Sequence, residues 1–276
     1  MKLEFTTGQK QRLAELGADD YLDLVFTSEA EREEKFTEVS TKYERKNKED
    51  LLRLLKTTRT PAVRELEREM CKALVGAGFT EVVTPSIISR EFINRMGISE
   101  AHALWRQIFW LDAKRCLRPM LAPNLYHVMR QLRNISKPVS IFEVGPCFRK
   151  ESKGREHTEE FTMLNAVELA PQKDAHERLK EMIQTVLKAV GMQNYTLEEV
   201  ASEVYGETID VLVKGVEVAS TAVGPHRLDK NWEIFEPWAG VGFGLERLAM
   251  VKKQCKRLGH VGRSLSHLNG ACLRLT

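Results

Sequence analysis

Cysteine is scarce in this chain and shows no pairing pattern. The 276 residues hold five: Cys71, Cys116, Cys147, Cys255 and Cys272. An odd number with no C-x-x-C pair excludes a disulfide framework and a thiolate zinc site, so the five read as reduced thiols. No apolar run approaches about 18 residues, so no membrane span is expected. The first residues lack the basic and apolar regions of a secretory leader, and a cytoplasmic protein is expected. Neither sign of charge dominates: 42 Lys and Arg stand against 39 Asp and Glu. Composition alone therefore does not point to nucleic acid. There is no internal repeat, low-complexity segment or long linker.

The distribution of charge says more. No carboxylate side chain follows Glu246, whereas Arg247, Lys252, Lys253, Lys256, Arg257, Arg263 and Arg274 do. A basic end of this kind suits phosphate contact and equally suits a solubilising tail. A second basic run, Lys42, Arg45, Lys46 and Lys48, lies in a charged stretch that reads as a helix over residues 29–56. That helix is either solvated or phosphate-facing.

The length suits one large core with a helical extension. Residues 1–60 read as the extension. Thr6 and Thr7 cap a first helix that carries Leu13 and Leu16 and stops at Gly17, and a second helix follows Ser28. Pro61 opens the body, residues 61–276. Residues 63–75 read as an amphipathic helix with Leu66, Met70, Leu74 and Val75 on one side, ended by Gly76-Ala77-Gly78. Residues 79–84 read as a strand closed by Pro85. A short helix is expected over 91–96, a hairpin over 108–118, and helices over 122–133 and 176–190. Short strands follow at 204–205, 208–213 and 216–222, with Gly215 marking the turn before the last.

Residues 139–168 read as strand, polar loop and strand. The first strand ends in Phe148-Arg149-Lys150-Glu151, and alternation along it puts Arg149 and Glu151 on one face. On the return strand Phe161, Met163, Asn165 and Val167 share a face, with Thr162, Leu164 and Ala166 on the other. An arginine, a carboxylate and an aromatic ring on one surface suit an adenine nucleotide: the fork takes phosphate, the carboxylate accepts from the exocyclic amine, and the ring stacks. About ninety residues later, Gly240-Val241-Gly242-Phe243-Gly244-Leu245-Glu246-Arg247 opens a helix running to about Lys253. Arg247 lies in its first turn, where the macrodipole disfavours a cation unless an anion is held nearby.

These two elements resemble motifs 2 and 3 of class II aminoacyl-tRNA synthetases. The 64–85 helix, strand and proline resemble motif 1. The runs Leu117 to Tyr126, Phe148 to Ser152 and Glu160 to Asn165 resemble the pyrrolysyl-tRNA synthetase family more closely. The resemblance extends loosely to the N-terminal helices, which look like those of short forms without a separate tRNA-binding domain. It implies an α+β catalytic fold, an antiparallel β-sheet flanked by helices, in a homodimer with Pro85 at its two-fold interface. It implies ATP and Mg2+, pyrrolysine and tRNA(Pyl), with the N-terminal extension contacting tRNA. The reaction runs through an aminoacyl-adenylate and needs no enzyme nucleophile, so catalysis rests on positioning and charge neutralisation. By resemblance Arg149 holds the α-phosphate, Glu151 reads adenine, and Phe161 and Arg247 sandwich it. His157 reaches the γ-phosphate, and Glu217 and Ser220 attend the magnesium. A spacing of three does not put Glu217 and Ser220 on one face of a flat strand, so a bulge or twist is required. The amino-acid pocket is Ala122, Leu125, Tyr126, Met129, Val167, Tyr205, Ala222 and Trp238, with Gly240 at its base and Asn165 as its polar exception. The alternatives are a synthetase for another bulky amino acid such as phenylalanine, and an inactive paralogue that only binds tRNA. Such a paralogue tends to lose the motif arginines, and Arg149 and Arg247 are both present.

Overall fold

The computed structural model describes residues 2–150, 158–202 and 204–275. Helix α1 (Thr7–Glu15) opens on a capping box, in which Thr6 accepts from the Gln9 amide and the Gln9 side chain accepts from the Thr6 N–H. Strand β1 (Leu3–Glu4) pairs with β2 (Val25–Phe26), and the Ser28 hydroxyl caps the long helix α2 (Glu29–Arg53). These elements bury Phe5, Leu13, Ala18, Leu22, Phe26 and Val39 as a small core of their own.

Helix α3 (Ala62–Gly76) leads to β3 (Thr80–Glu81), β4 (Ile87–Ser89), α4 (Arg90–Arg95), α5 (Ala103–Gln107), β5 (Arg115–Leu117) and α6 (Ala122–Leu132). Then come β6 (Val139–Phe148), β7 (Glu160–Leu169), α7 (Ala175–Ala189), β8 (Thr196–Ser202), β9 (Gly206–Val213), β10 (Val216–Gly224), β11 (Trp238–Gly244) and α8 (Leu245–Lys253). Among the described residues the main sheet has seven strands in the order β3-β6-β7-β11-β10-β9-β8. All neighbours are antiparallel except β3 and β6. This is the expected α+β architecture. No described helix is long and apolar enough to cross a membrane.

Alternation decides where the core and the site lie. Leu164 and Ala166 of β7, with Val241 and Phe243 of β11, face α3, α7 and α8 and are buried there. Burial of Leu164, Val241 and Phe243 contributes roughly 1.5–3 kcal/mol each. The opposite face carries Phe161, Met163 and Val167 toward α6, and there the sheet is concave and only partly covered.

Several expectations need correction. The glycine run opens no helix: Gly240 to Gly244 lie in β11 and α8 begins at Leu245, because Val241 and Phe243 alternate into the core as a strand requires. Arg247 still falls in the first helical turn. The strand expected over 79–84 is only Thr80–Glu81; the Val82 N–H still donates to the Phe142 carbonyl, and beyond it the Glu143 carboxylate takes the Thr84 N–H and hydroxyl in place of ladder bonds. Val204 and Tyr205 form a turn, not a strand. Strand β8 was not expected: it is a charged, largely exposed edge strand with no apolar alternation.

The basic C-terminus folds back on the N-terminal helices as α9 (Leu258–Val261), β12 (His267–Leu268) and β13 (Ala271–Cys272). The Cys272 N–H donates to Asn47 Oδ1 at 2.7 Å, and His267 Nε2 lies 2.8 Å from the Glu15 carbonyl. Arg257 pairs with Asp19 at 2.8 Å and Lys256 with Asp20. Arg263 binds Glu160 and the Thr162 hydroxyl. These three cations serve internal ties.

Candidate active site

A cavity of about 530 Å³ opens between α6 and the concave face of the sheet. It is lined by Ala122, Leu125, Tyr126, Met129, Arg149, Phe161, Asn165, Val167, Tyr205, Glu217, Ser220, Ala222, Trp238, Gly240 and Arg247. The structure thus gathers every described candidate residue into one space. Glu151 and His157 lie outside the described residues.

At one end stand the charged groups. Past β6 the Arg149 N–H donates to the Glu159 carbonyl, its Nε donates to the Pro119 carbonyl at 2.9 Å, and the guanidinium lies 5.3 Å over the Phe161 ring. Arg247 Nη1 lies 2.9 Å from Glu217 Oε2 and donates to the Glu217 carbonyl at 3.0 Å. The pairing of β10 with β9 slips between Glu217 and Ala219, which is the required bulge, and Glu217 and Ser220 both reach the cavity. A carboxylate and a hydroxyl fit magnesium, which takes hard oxygen donors and completes its shell with phosphate and water. Behind them burial pushes the Asp210 carboxyl above its usual range, opposed by a hydrogen bond from Ser220.

At the other end the walls are apolar. Ala222, Gly240 and Val167 are direct neighbours across β10, β11 and β7. The glycines keep this floor open: a Cβ at Gly242 would lie 2.9 Å from Asn165 Oδ1, and one at Gly240 would lie 3.1 Å from the Trp238 ring. Asn165 Oδ1 is buried without a hydrogen-bond partner.

Three groups escaped the sequence reading. Glu246 was read only as part of the glycine motif; it is buried, and both its oxygens accept from the Thr162 N–H, at 2.9 and 2.8 Å, fixing α8 to β7. Burial pushes its carboxyl up. Arg118 and Glu143 form a buried ion pair at 2.7 Å beneath the cavity, and the Arg118 carbonyl accepts the Phe148 N–H just before Arg149. Asp229 accepts from the Tyr126 hydroxyl at 2.8 Å and from Trp238 Nε1 at 2.9 Å. Its only sequence signal is an acid next to Leu228 in a stretch that also holds Trp232 and Ile234.

Residues 52–238 match the family model described as the phenylalanyl tRNA synthetase beta chain CLM domain. Two solved structures of pyrrolysyl-tRNA synthetase from Desulfitobacterium hafniense are much more similar over the whole chain. One is 45% identical with a TM-score of 0.92 and 99% of each chain covered. The other is 44% identical with a TM-score of 0.90 and 98% of each chain covered. With the sheet, the arginine pair and the long apolar cavity in place, these likenesses decide the matter: the chain belongs to the pyrrolysyl-tRNA synthetase family of class II aminoacyl-tRNA synthetases.

Proposed function

We propose that this chain is the ligase that charges tRNA(Pyl) with pyrrolysine, using ATP and an aminoacyl-adenylate intermediate, as a cytoplasmic homodimer. The observation that carries the reading is the buried, unpartnered Asn165 amide oxygen in a long apolar cavity that ends at two arginines. A phenylalanine side chain offers that amide no partner, whereas the amide of an acylated lysine does.

Arg149, held by the Pro119 carbonyl, takes an α-phosphate oxygen and withdraws charge as the carboxylate attacks the α-phosphorus and pyrophosphate leaves. Adenine lies between Phe161 and Arg247, with Glu151 at its amine and His157 near the γ-phosphate. Glu217 and Ser220 would hold magnesium, which when bound supplies charge neutralisation on the phosphates. Arg247 exchanges its Glu217 partner for phosphate. Ala122, Leu125, Tyr126, Met129, Val167, Tyr205, Ala222, Trp238 and Gly240 exclude water around the side chain.

Residues 1–60 serve as a tRNA-contacting extension of the catalytic body, residues 61–276. The exposed Lys42, Arg45, Lys46 and Lys48 on α2 support that role. Val83, 91% exposed beside Pro85, supports a dimer contact there. The test is amino-acid-dependent pyrophosphate exchange followed by tRNA charging. Exchange with pyrrolysine and none with phenylalanine is expected. No exchange with any amino acid, or exchange with phenylalanine alone, would overturn the assignment.

A further inference from the structure

Asp229 is 2% exposed, yet it lies one hydrogen bond behind two walls of the amino-acid cavity. Its Oδ1 accepts from the Tyr126 hydroxyl at 2.8 Å. Its Oδ2 accepts from Trp238 Nε1 at 2.9 Å and from the His226 N–H. The residue thus joins α6, β11 and the turn after β10. All three donors are neutral, so they stabilise the carboxylate without cancelling its charge.

Two consequences reach the cavity. Tyr126 and Trp238 spend their polar hydrogens on Asp229, so neither ring has a donor left for a ligand. A side-chain end resting against this wall also meets a buried negative charge at short range, in surroundings that screen it weakly. Tyr205, which lines the same end and packs edge-on to Trp238, has its phenol pushed up by burial and by the charge of Asp229.

Resting on the proposed function, we infer that Asp229 is a specificity-determining residue of the amino-acid pocket. Its charge, held behind Tyr126 and Trp238, admits acyl-lysines with a neutral or hydrogen-donating end and excludes those with an anionic end. It is a positioning residue and touches no reacting atom.

The Asp229→Asn variant separates this role from simple bracing. Asn keeps the shape and can still accept from Trp238 and His226. Its amide nitrogen then donates to the Tyr126 oxygen, which frees the phenolic hydrogen and removes the charge. The experiment measures pyrophosphate exchange and ligand-induced melting shifts with pyrrolysine, Nε-succinyl-lysine and the methyl ester of the succinyl group, which is similar in shape and neutral. In the unaltered protein the ester should be favoured over the acid about a hundredfold in kcat/KM. In Asp229→Asn that ratio should fall to under about tenfold, mostly through KM for the acid. If Asp229→Asn fails to fold, Tyr126→Phe takes its place. It leaves the carboxylate in position, so the acid should stay excluded, and loss of the discrimination would overturn the role. An exchange-competent protein that accepts acid and ester equally, or a folded Asp229→Asn with an unchanged ratio, also overturns it. Absence of pyrrolysine-dependent exchange in the unaltered protein is a different failure, which removes the proposed function and this inference with it.

Discussion

Arg247 and Glu217 hold each other at the charged end of the cavity, Nη1 to Oε2 at 2.9 Å. Their side chains are 28% and 45% exposed, so the pair contributes under about 1 kcal/mol. It keeps Arg247 aimed at the site and yields readily to a phosphate. Glu217→Gln should therefore shift Tm by no more than about 2–4 °C. It should also raise the magnesium concentration needed for half-maximal exchange. A variant that melts much earlier with an unchanged magnesium requirement would make Glu217 a structural partner only.

The Arg149 side chain donates from Nε to the Pro119 carbonyl and lies over Phe161. Arg149→Ala should cost about 1–2 kcal/mol of stability and about a thousandfold in adenylate formation. Arg149→Lys keeps the charge but not the fork, and should recover little of the rate. Near-normal exchange in folded Arg149→Ala would remove this residue from the chemistry.

The two basic pairs should behave differently. Lys46 and Lys48 are exposed on α2. Neutralising both should leave Tm and activation unchanged while weakening tRNA binding and reducing its salt slope by about 2. Arg257 instead pairs with Asp19, whose side chain is 3% exposed. Arg257→Gln leaves that carboxylate buried and alone and should cost about 3–5 kcal/mol. Urea unfolding and filter binding on the two variants check the contrast.

Legibility followed how local each signal was. The helix cap at Thr6, the alternation along β7 and the need for a bulge between Glu217 and Ser220 all lie within a few residues, and the structure contains each of them. Ala122, Leu125, Tyr126 and Met129 share one side of the 122–133 helix at helical spacing, and only the resemblance sets that stripe apart from ordinary core. What stayed hidden depends on partners far along the chain. Asp229 meets Tyr126 across 103 positions, and the Cys272 N–H meets Asn47 across 225. The basic tail was misleading because Asp19 and Asp20, which pair with Arg257 and Lys256, lie more than two hundred residues away. The glycine run was taken for a helix start because glycine shows no period of its own.

His260 stacks on His267 with centroids 3.9 Å apart, at the seam between the C-terminal segment and the N-terminal helices. Burial, and then the neighbouring His267, hold its pKa down at about 4, against an ordinary value of 6.5. The folded state takes up this proton less readily than the unfolded chain. The resulting stability is fully present above about pH 6.5 and is lost as pH falls toward 4, about 3 kcal/mol in all. His260→Phe keeps a ring against His267 and removes the titration. Its unfolding free energy should lose less than the parent protein's between pH 7.5 and 5. Parallel pH profiles would exclude His260 as the source.

Asn165 is tested from both sides of one contact. It pairs across the sheet with Gly242, where a Cβ would lie 2.9 Å from its Oδ1. A buried amide oxygen without a partner costs about 1–3 kcal/mol, so the free protein is strained at a point that a ligand can relieve. An acylated lysine brings an N–H and a carbonyl to this depth of the cavity, and a phenylalanine derivative brings neither. Asn165→Ala should raise KM for pyrrolysine about tenfold or more. It should also relax discrimination against aromatic amino acids, while Tm holds or rises because the orphaned group is gone. Gly242→Ala should act in the same direction by displacing the amide, with Asn165 itself intact. If Asn165 only ties two strands together, Asn165→Ala should instead melt earlier with its relative preference unchanged. Comparing kcat/KM for an acyl-lysine and an aromatic substrate in both variants, beside their melting curves, decides between the two roles. A preserved ratio in a destabilised protein would end the case for recognition by Asn165.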